Sequence, residues 1–158
     1  MKLKLESILI FFIGFFSCAT VFSFIFFSNG EIPFSLNGNV ALSPSNWLNK
    51  ENIMVYNDKI VIYVDNASLS SYQPTGSMRP LLDSGANGIR IKPESVQEIN
   101  NGDIISFRKN GMLIVHRVVD KGVDSEGIYF ITKGDNNNYS DGKVRFEDIE
   151  YITIGILY

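Results

Sequence analysis

Two unlike hydrophobic patterns divide the chain. Between Ser7 and Phe27 the sequence SILIFFIGFFSCATVFSFIFF carries no charge. At about 1.5 Å per helical residue it reaches roughly 30 Å, the hydrocarbon thickness of a bilayer. That predicts one membrane-spanning helix over 7–27. After Asn52 the apolar residues come instead in short runs separated by Gly, Asn, Asp and Pro, at 52–56, 59–64, 88–92, 103–108, 112–120, 128–133 and 151–158. Such runs predict strands, and no stretch keeps a helical stripe beyond a turn or two. Asn57-Asp58 and Asn110-Gly111 read as hairpin turns, the second close to the dipeptide favoured for type I′. Alternation along 112–120 sets Ile114, His116 and Val118 on one face, with Leu113, Val115, Arg117 and Val119 on the other.

Residues 28–50 are rich in Asn, Ser, Gly and Pro and keep neither period. They read as a juxtamembrane connector, with Ile32, Phe34 and Trp47 resting either on lipid or on the domain core. The expected organisation is a cytosolic stretch at 1–6, an anchor at 7–27, the connector at 28–50 and a mainly β domain at 51–158. Lys2 and Lys4 precede the anchor, and no Lys or Arg follows it before Lys50. The positive-inside rule therefore puts the N-terminus in the cytosol and the β domain outside. The competing reading is a cleaved secretory signal ending at Ser17-Cys18-Ala19. The apolar run continuing to Phe27 speaks against cleavage, and bulky Phe15 and Phe16 speak against a lipoprotein cysteine at Cys18. Both readings export the remainder.

Composition sharpens this division. Eight of the twelve phenylalanines lie between Phe11 and Phe27, so the rest of the 158-residue chain is more polar than its 45% hydrophobic content suggests. With 14 Lys and Arg against 17 Asp and Glu, no basic stripe is available for a phosphate backbone, which argues against nucleic acid as a partner. The single Cys18 closes no disulfide within the chain.

Three places offer chemistry. Gln73-Pro74-Thr75-Gly76-Ser77-Met78-Arg79-Pro80-Leu81-Leu82 puts a serine on a turn stiffened by proline, and reads equally as an ordinary surface turn. His116 is the only histidine, so any imidazole chemistry uses it. The polar loop Lys133-Gly134-Asp135-Asn136-Asn137-Asn138-Tyr139-Ser140-Asp141-Gly142 supplies acids. It does not match a calcium-binding EF-hand, because the sixth and twelfth positions counted from Asp135 are Ser140 and Phe146 rather than Gly and Glu. A serine hydroxyl becomes a nucleophile when a base takes its proton, and an imidazole serves when an acid fixes its tautomer. All three types are present.

In this order the motifs resemble type I signal peptidases of the archaeal and endoplasmic-reticulum kind. The likeness rests on Gly76-Ser77-Met78-x-Pro80, Val115-His116-Arg117-Val118-Val119 and Lys133-Gly134-Asp135-Asn136-Asn137 with Asp141, together with Asn101-Gly102-Asp103-Ile104-Ile105. It covers roughly residues 70–158. The resemblance implies an antiparallel β catalytic domain with Ser77 as nucleophile, His116 as general base and Asp141 as the acid that orients it. Asp135 matches a second acid of the family, expected to organise the loop by accepting backbone N–H groups. The Ser77 N–H and the Thr75 hydroxyl match the oxyanion hole. Met78, Leu81 and Leu82 are candidate substrate contacts, and core packing accounts for them as well.

The implied activity is removal of N-terminal signal peptides from exported preproteins, without metal or organic cofactor. Preproteins, the lipid bilayer and the export translocon are the implied partners, and the implied location is the outer face of the cell membrane. A histidine base predicts loss of activity below roughly pH 6–7. The rival enzyme is a Ser–Lys peptidase using Lys92, Lys109 or Lys133. The rival from another class is a noncatalytic membrane-tethered β-domain that binds exported partners. Asn66 and Asn138 each begin a glycosylation sequon.

Overall fold

The computed structural model describes residues 10, 12, 14–17 and 41–158. The chain divides into two compact units, Met1–Asn39 and Val40–Tyr158. In the first, Ile10, Phe12 and 14–17 are helical and exposed. Among the described residues no helix is long and apolar enough to cross a membrane. Most of the span expected at 7–27 lies outside the described residues.

The second unit is mainly β and antiparallel. β1 (Ile53–Val55) and β2 (Ile60–Ile62) form a separate ribbon. It turns through Asn57-Asp58, with the Tyr56 N–H donating to the Lys59 carbonyl at 2.8 Å. The other strands are β3 (Ser68–Ser71), β4 (Asn87–Ile91), β5 (Ile104–Lys109), β6 (Met112–Asp124), β7 (Gly127–Lys133), β8 (Gly142–Val144) and β9 (Ile149–Leu157). They make one sheet in the order β3-β4-β9-β5-β6-β7-β8. Asn110 and Gly111 both have positive φ, 52° and 77°, as a type I′ turn between β5 and β6 requires.

Six of the seven expected runs that shape this sheet and ribbon recur within a residue or two at most ends, but β6 extends four residues further, to Asp124. β3 and β8 had no counterpart in the hydrophobic pattern. The alternation of β6 holds through its unbroken pairing with β5 over 112–117 and is interrupted only after Val118, while His116, Arg117 and Val118 are all buried. A shift in the pairing with β7 between Val118 and Asp120 adds a residue there, and both faces of the strand are covered.

The larger core contains Ile99, Ile105, Phe107, Val118, Phe130, Val144, Ile149 and Ile152, with Trp47 packed against it. A smaller cluster joins Met78 and Leu82 to Ile104, flanked by Tyr72 and Val115. Residues just before β1 are fastened to this body. The Ser45 N–H donates to Asp103 Oδ1 at 2.7 Å, and Arg117 Nη1 donates to the Leu42 carbonyl at 2.8 Å. Fully buried Asp103 accepts a second backbone donor, Asn100 N–H, at 2.9 Å. Beside it Gly102 has φ +100°, and a Cβ there would lie 2.1 Å from the Ser43 carbonyl oxygen. Only glycine fits that approach.

Candidate active site

Ser77 stands on a turn whose shape is fixed from below. Gly76 adopts φ +74°, a conformation that costs glycine little. After it the Arg79 N–H returns to the Gly76 carbonyl and the Leu82 N–H to the Met78 carbonyl at 2.9 Å. Met78 and Leu82, 3% and 4% exposed, plug this segment into the smaller core. The apolar pair thus anchors the turn while the hydroxyl stays partly accessible.

His116 is carried by β6 opposite Ile105 of β5, and β7 joins β6 only from Arg117 onward. The imidazole is therefore held by a central strand yet lies where one edge of that strand is free. Its Nε2 is 3.1 Å from Ser77 Oγ and its Nδ1 is 2.7 Å from Asp141 Oδ2. Nδ1 meets a carboxylate, which only accepts, so the proton belongs on Nδ1 and Nε2 is left to accept from the serine.

Asp141 is itself tightly held. Its N–H donates to the Thr132 carbonyl at 2.8 Å, and the Thr132 hydroxyl donates to the same Oδ2 that faces the imidazole, at 2.8 Å. The Lys109 ammonium donates to the Asp141 carbonyl. On the serine side, Thr75 Oγ1 lies 3.1 Å from Ser77 Oγ and accepts the Ser77 N–H at 3.4 Å. The Thr75 hydroxyl thus touches both the amide and the hydroxyl of the serine.

Asp135 stands apart from the imidazole. Its carboxylate accepts Nε and Nη2 of Arg117 at 2.8 and 2.7 Å, a two-pronged pair with side chains 11% and 5% exposed. The expectation that it accepts backbone N–H groups gives way to this pairing: a planar guanidinium matches a carboxylate better than scattered amides do. The rest of the motif braces the serine turn. Asn136 N–H donates to the Ser77 carbonyl at 2.9 Å and Asn136 Nδ2 to the Gly76 carbonyl at 3.1 Å. Gly134 passes so close that a Cβ there would lie 2.6 Å from the Ser77 carbonyl oxygen.

A cleft of about 510 Å³ opens at Ser77 and His116. One wall is Ser70–Gln73, continuing from β3, which pairs only with β4; the other is Met112–Val115. Both walls thus present unpaired strand edges. Met78 and Leu82 line the cleft. Leu81 does not, and its carbonyl accepts the Tyr158 hydroxyl. Among the described residues no cluster of His, Cys, Asp or Glu is arranged to hold a metal ion.

The structure therefore brings together Ser77, His116, Asp141 and Thr75, with Met78 and Leu82 beside them. Thr132, the bond from Lys109 to the Asp141 carbonyl and the pairing of Arg117 with Asp135 escaped sequence reasoning. For Arg117 a signal was present, since a cation on a strand expected to be half-buried demands a counter-ion.

Over 68 residues the chain is 34% identical to Signal peptidase I W of Bacillus subtilis (strain 168), a match covering 42% of this chain and 36% of that relative. The chain thus matches well under half the length of the curated relative. The similarity supports a relationship to signal peptidase I. No family model and no solved structure matches the chain.

Proposed function

We propose that this protein is a membrane-bound serine endopeptidase of the archaeal and endoplasmic-reticulum signal peptidase kind, cutting signal peptides from exported preproteins by a Ser-His-Asp mechanism. The observation that carries this reading is the chain of contacts from Ser77 Oγ through both nitrogens of His116 to Asp141 Oδ2, at 3.1 and 2.7 Å. Ser77 and His116 both line the cleft.

In this mechanism Ser77 Oγ attacks the scissile carbonyl as its proton passes to His116 Nε2, while Asp141 stabilises the imidazolium. The carbonyl oxygen, now anionic, is met by the Ser77 N–H and the Thr75 hydroxyl. A single such donor is typically worth about 2.7–4 kcal/mol in the transition state. His116 then protonates the leaving amine, and water repeats the sequence on the acyl-enzyme. The substrate lies extended along the free edges of Ser70–Gln73 and Met112–Val115, using its main chain for affinity. Met78 and Leu82 form an apolar floor suited to small side chains.

An anchor at 7–27 would hold the cleft at the outer membrane face, where a preprotein's own apolar segment emerges. Confinement of both partners to that layer raises their effective concentration. The Lys109 ammonium, bonded to the Asp141 carbonyl, favours histidine over lysine as the base.

The test uses the full chain in detergent micelles with a signal-bearing preprotein. Wild type should cleave it, Ser77→Ala should abolish cleavage with melting temperature little changed, and His116→Ala should lower turnover by orders of magnitude. Near-normal turnover of His116→Ala would exclude the histidine mechanism. A well-folded wild type inactive on several preproteins would favour a binding domain.

A further inference from the structure

Four of the five arginines have carboxylate partners: Arg79 with Asp83, Arg108 with Glu150, Arg117 with Asp135, and Arg145 with Asp124 and Glu126. Arg90 is the exception among the described residues. On β4 its guanidinium lies 3.9 Å over the centre of the Tyr151 ring, and its Nε donates to Ser68 Oγ at 3.1 Å. No partner is found for its two terminal nitrogens. It lines the same cleft as Ser77 and His116, and no Asp or Glu shares that lining.

This arrangement suits recognition more than packing. A guanidinium carries five N–H donors in a planar fork that fits a carboxylate two-prongedly. Stacking on Tyr151 and the bond to Ser68 already fix the plane of the fork, so little rotamer freedom remains to be lost on binding. Tyr72, an ionisable neighbour in the wall, supplies no counter-charge. Burial raises its pKa above the ordinary phenol value, outweighing the opposing effects of Thr153 and Arg90, and its hydroxyl is engaged with Thr153 at 2.9 Å. Arg90 is thus a pre-oriented cation in a cleft that provides it with no anion.

We infer that Arg90 forms a carboxylate-reading subsite, selecting peptides with a Glu or Asp side chain a few residues from the bond to be cut. The inference rests on the proposed peptidase reading for its substrate. It adds a specificity element separate from the apolar floor of Met78 and Leu82.

The test walks a single Glu through each position of an otherwise neutral peptide that wild type cleaves, with Gln and Lys at the same positions as controls. At one position Glu should exceed Gln in kcat/KM by about ten-fold or more, the range for hydrogen bonds to a charged group. Lys there should be the poorest. In Arg90→Gln the Glu-to-Gln ratio should fall to about one. Arg90→Lys, which keeps charge but not the fork, should fall between, and circular dichroism checks that both variants fold.

Binding of the same labelled peptides to the Ser77→Ala chain, with and without Arg90→Gln, reads the subsite without cleavage. A Glu preference in binding that depends on Arg90 supports the subsite even if wild type cuts nothing, a result that would sink the peptidase reading alone. Cleavage with equal Glu and Gln rates at every position, or a preference surviving in Arg90→Gln, overturns the subsite and leaves the peptidase reading standing. An Arg90-dependent affinity for anionic phospholipid vesicles without peptide preference would also overturn it, in favour of a headgroup contact.

Discussion

The loop from Gly134 to Asp141 and the β1–β2 ribbon are opposites. In the loop the three side chains that face the serine turn and the sheet have assigned partners: Asp135 with Arg117, Asn136 with the Gly76 carbonyl, and Asp141 with His116 and Thr132. In the ribbon the apolar side chains lack cover, with Ile53, Met54, Val55, Tyr56, Ile60, Ile62 and Tyr63 all exposed, Val55 at 74% and Ile60 at 64%. The polar segment is therefore the one with side chains tied to the rest of the fold. Directional bonds fix a loop as firmly as burial fixes a strand, while a β-rich sequence alone says nothing about what lies against it.

Substitutions can break or sharpen this contrast. The largest effect is expected at Asp141→Asn, which keeps the shape but not the acceptor that sets the imidazole tautomer. Turnover should fall about ten-thousand-fold with the fold retained, measured by preprotein cleavage. Asp135→Ala should act on stability instead, costing about 3–5 kcal/mol because Arg117 is left buried and unpaired. Urea unfolding followed by fluorescence checks this, and a marginal loss would mean that the ion pair does not brace the loop.

Thr132→Val removes one donor from the Asp141 carboxylate and should cost about 1.5–3 kcal/mol of transition-state stabilisation. Thr132→Ser should restore most of it, and the loss in Val should fall on kcat rather than KM. In the ribbon, Val55→Thr with Ile60→Thr should change stability by no more than about 0.5 kcal/mol. A loss of several kcal/mol would show that those side chains are covered.

The smallest effect is electrostatic. The Lys143 ammonium first, then the Glu126 N–H and Arg145, hold the Asp124 carboxyl down to about 2, below the ordinary aspartate range and against the opposing effect of desolvation. A folded-state pKa below the unfolded one contributes stability at neutral pH that fades as pH falls from about 4 towards 2. The stability difference between wild type and Asp124→Asn should therefore narrow over that window.

The strand architecture was legible where apolar alternation and turn residues agreed, as at β5, Asn110-Gly111 and β6. It was illegible at β3, where Ser-Leu-Ser-Ser offers one apolar side chain and Leu69 itself is 64% exposed. It was also illegible at β8, three residues long, whose pairing with β7 is imposed by the sheet rather than by local preference. In the site, residue types supplied a serine, a histidine and two candidate acids, and the resemblance to signal peptidases singled out Asp141 as the partner of His116. The partner of Asp135 followed from neither, because alternation describes which face a side chain takes and not which counter-ion crosses from the next loop. Thr132 was hidden for a similar reason: a threonine in a strand reads as β propensity until the acid beside it is located.

The reacting groups are 39 and 25 positions apart along the chain, and no local fragment contains all of them. Assembling them requires two long loop closures, whose entropy is lost before the contacts are gained. On the proposed reading, the capacity to cut peptides would arrive only with the assembled sheet. A half-folded copy, with its own extended segments exposed to neighbours, would then be chemically inert towards them.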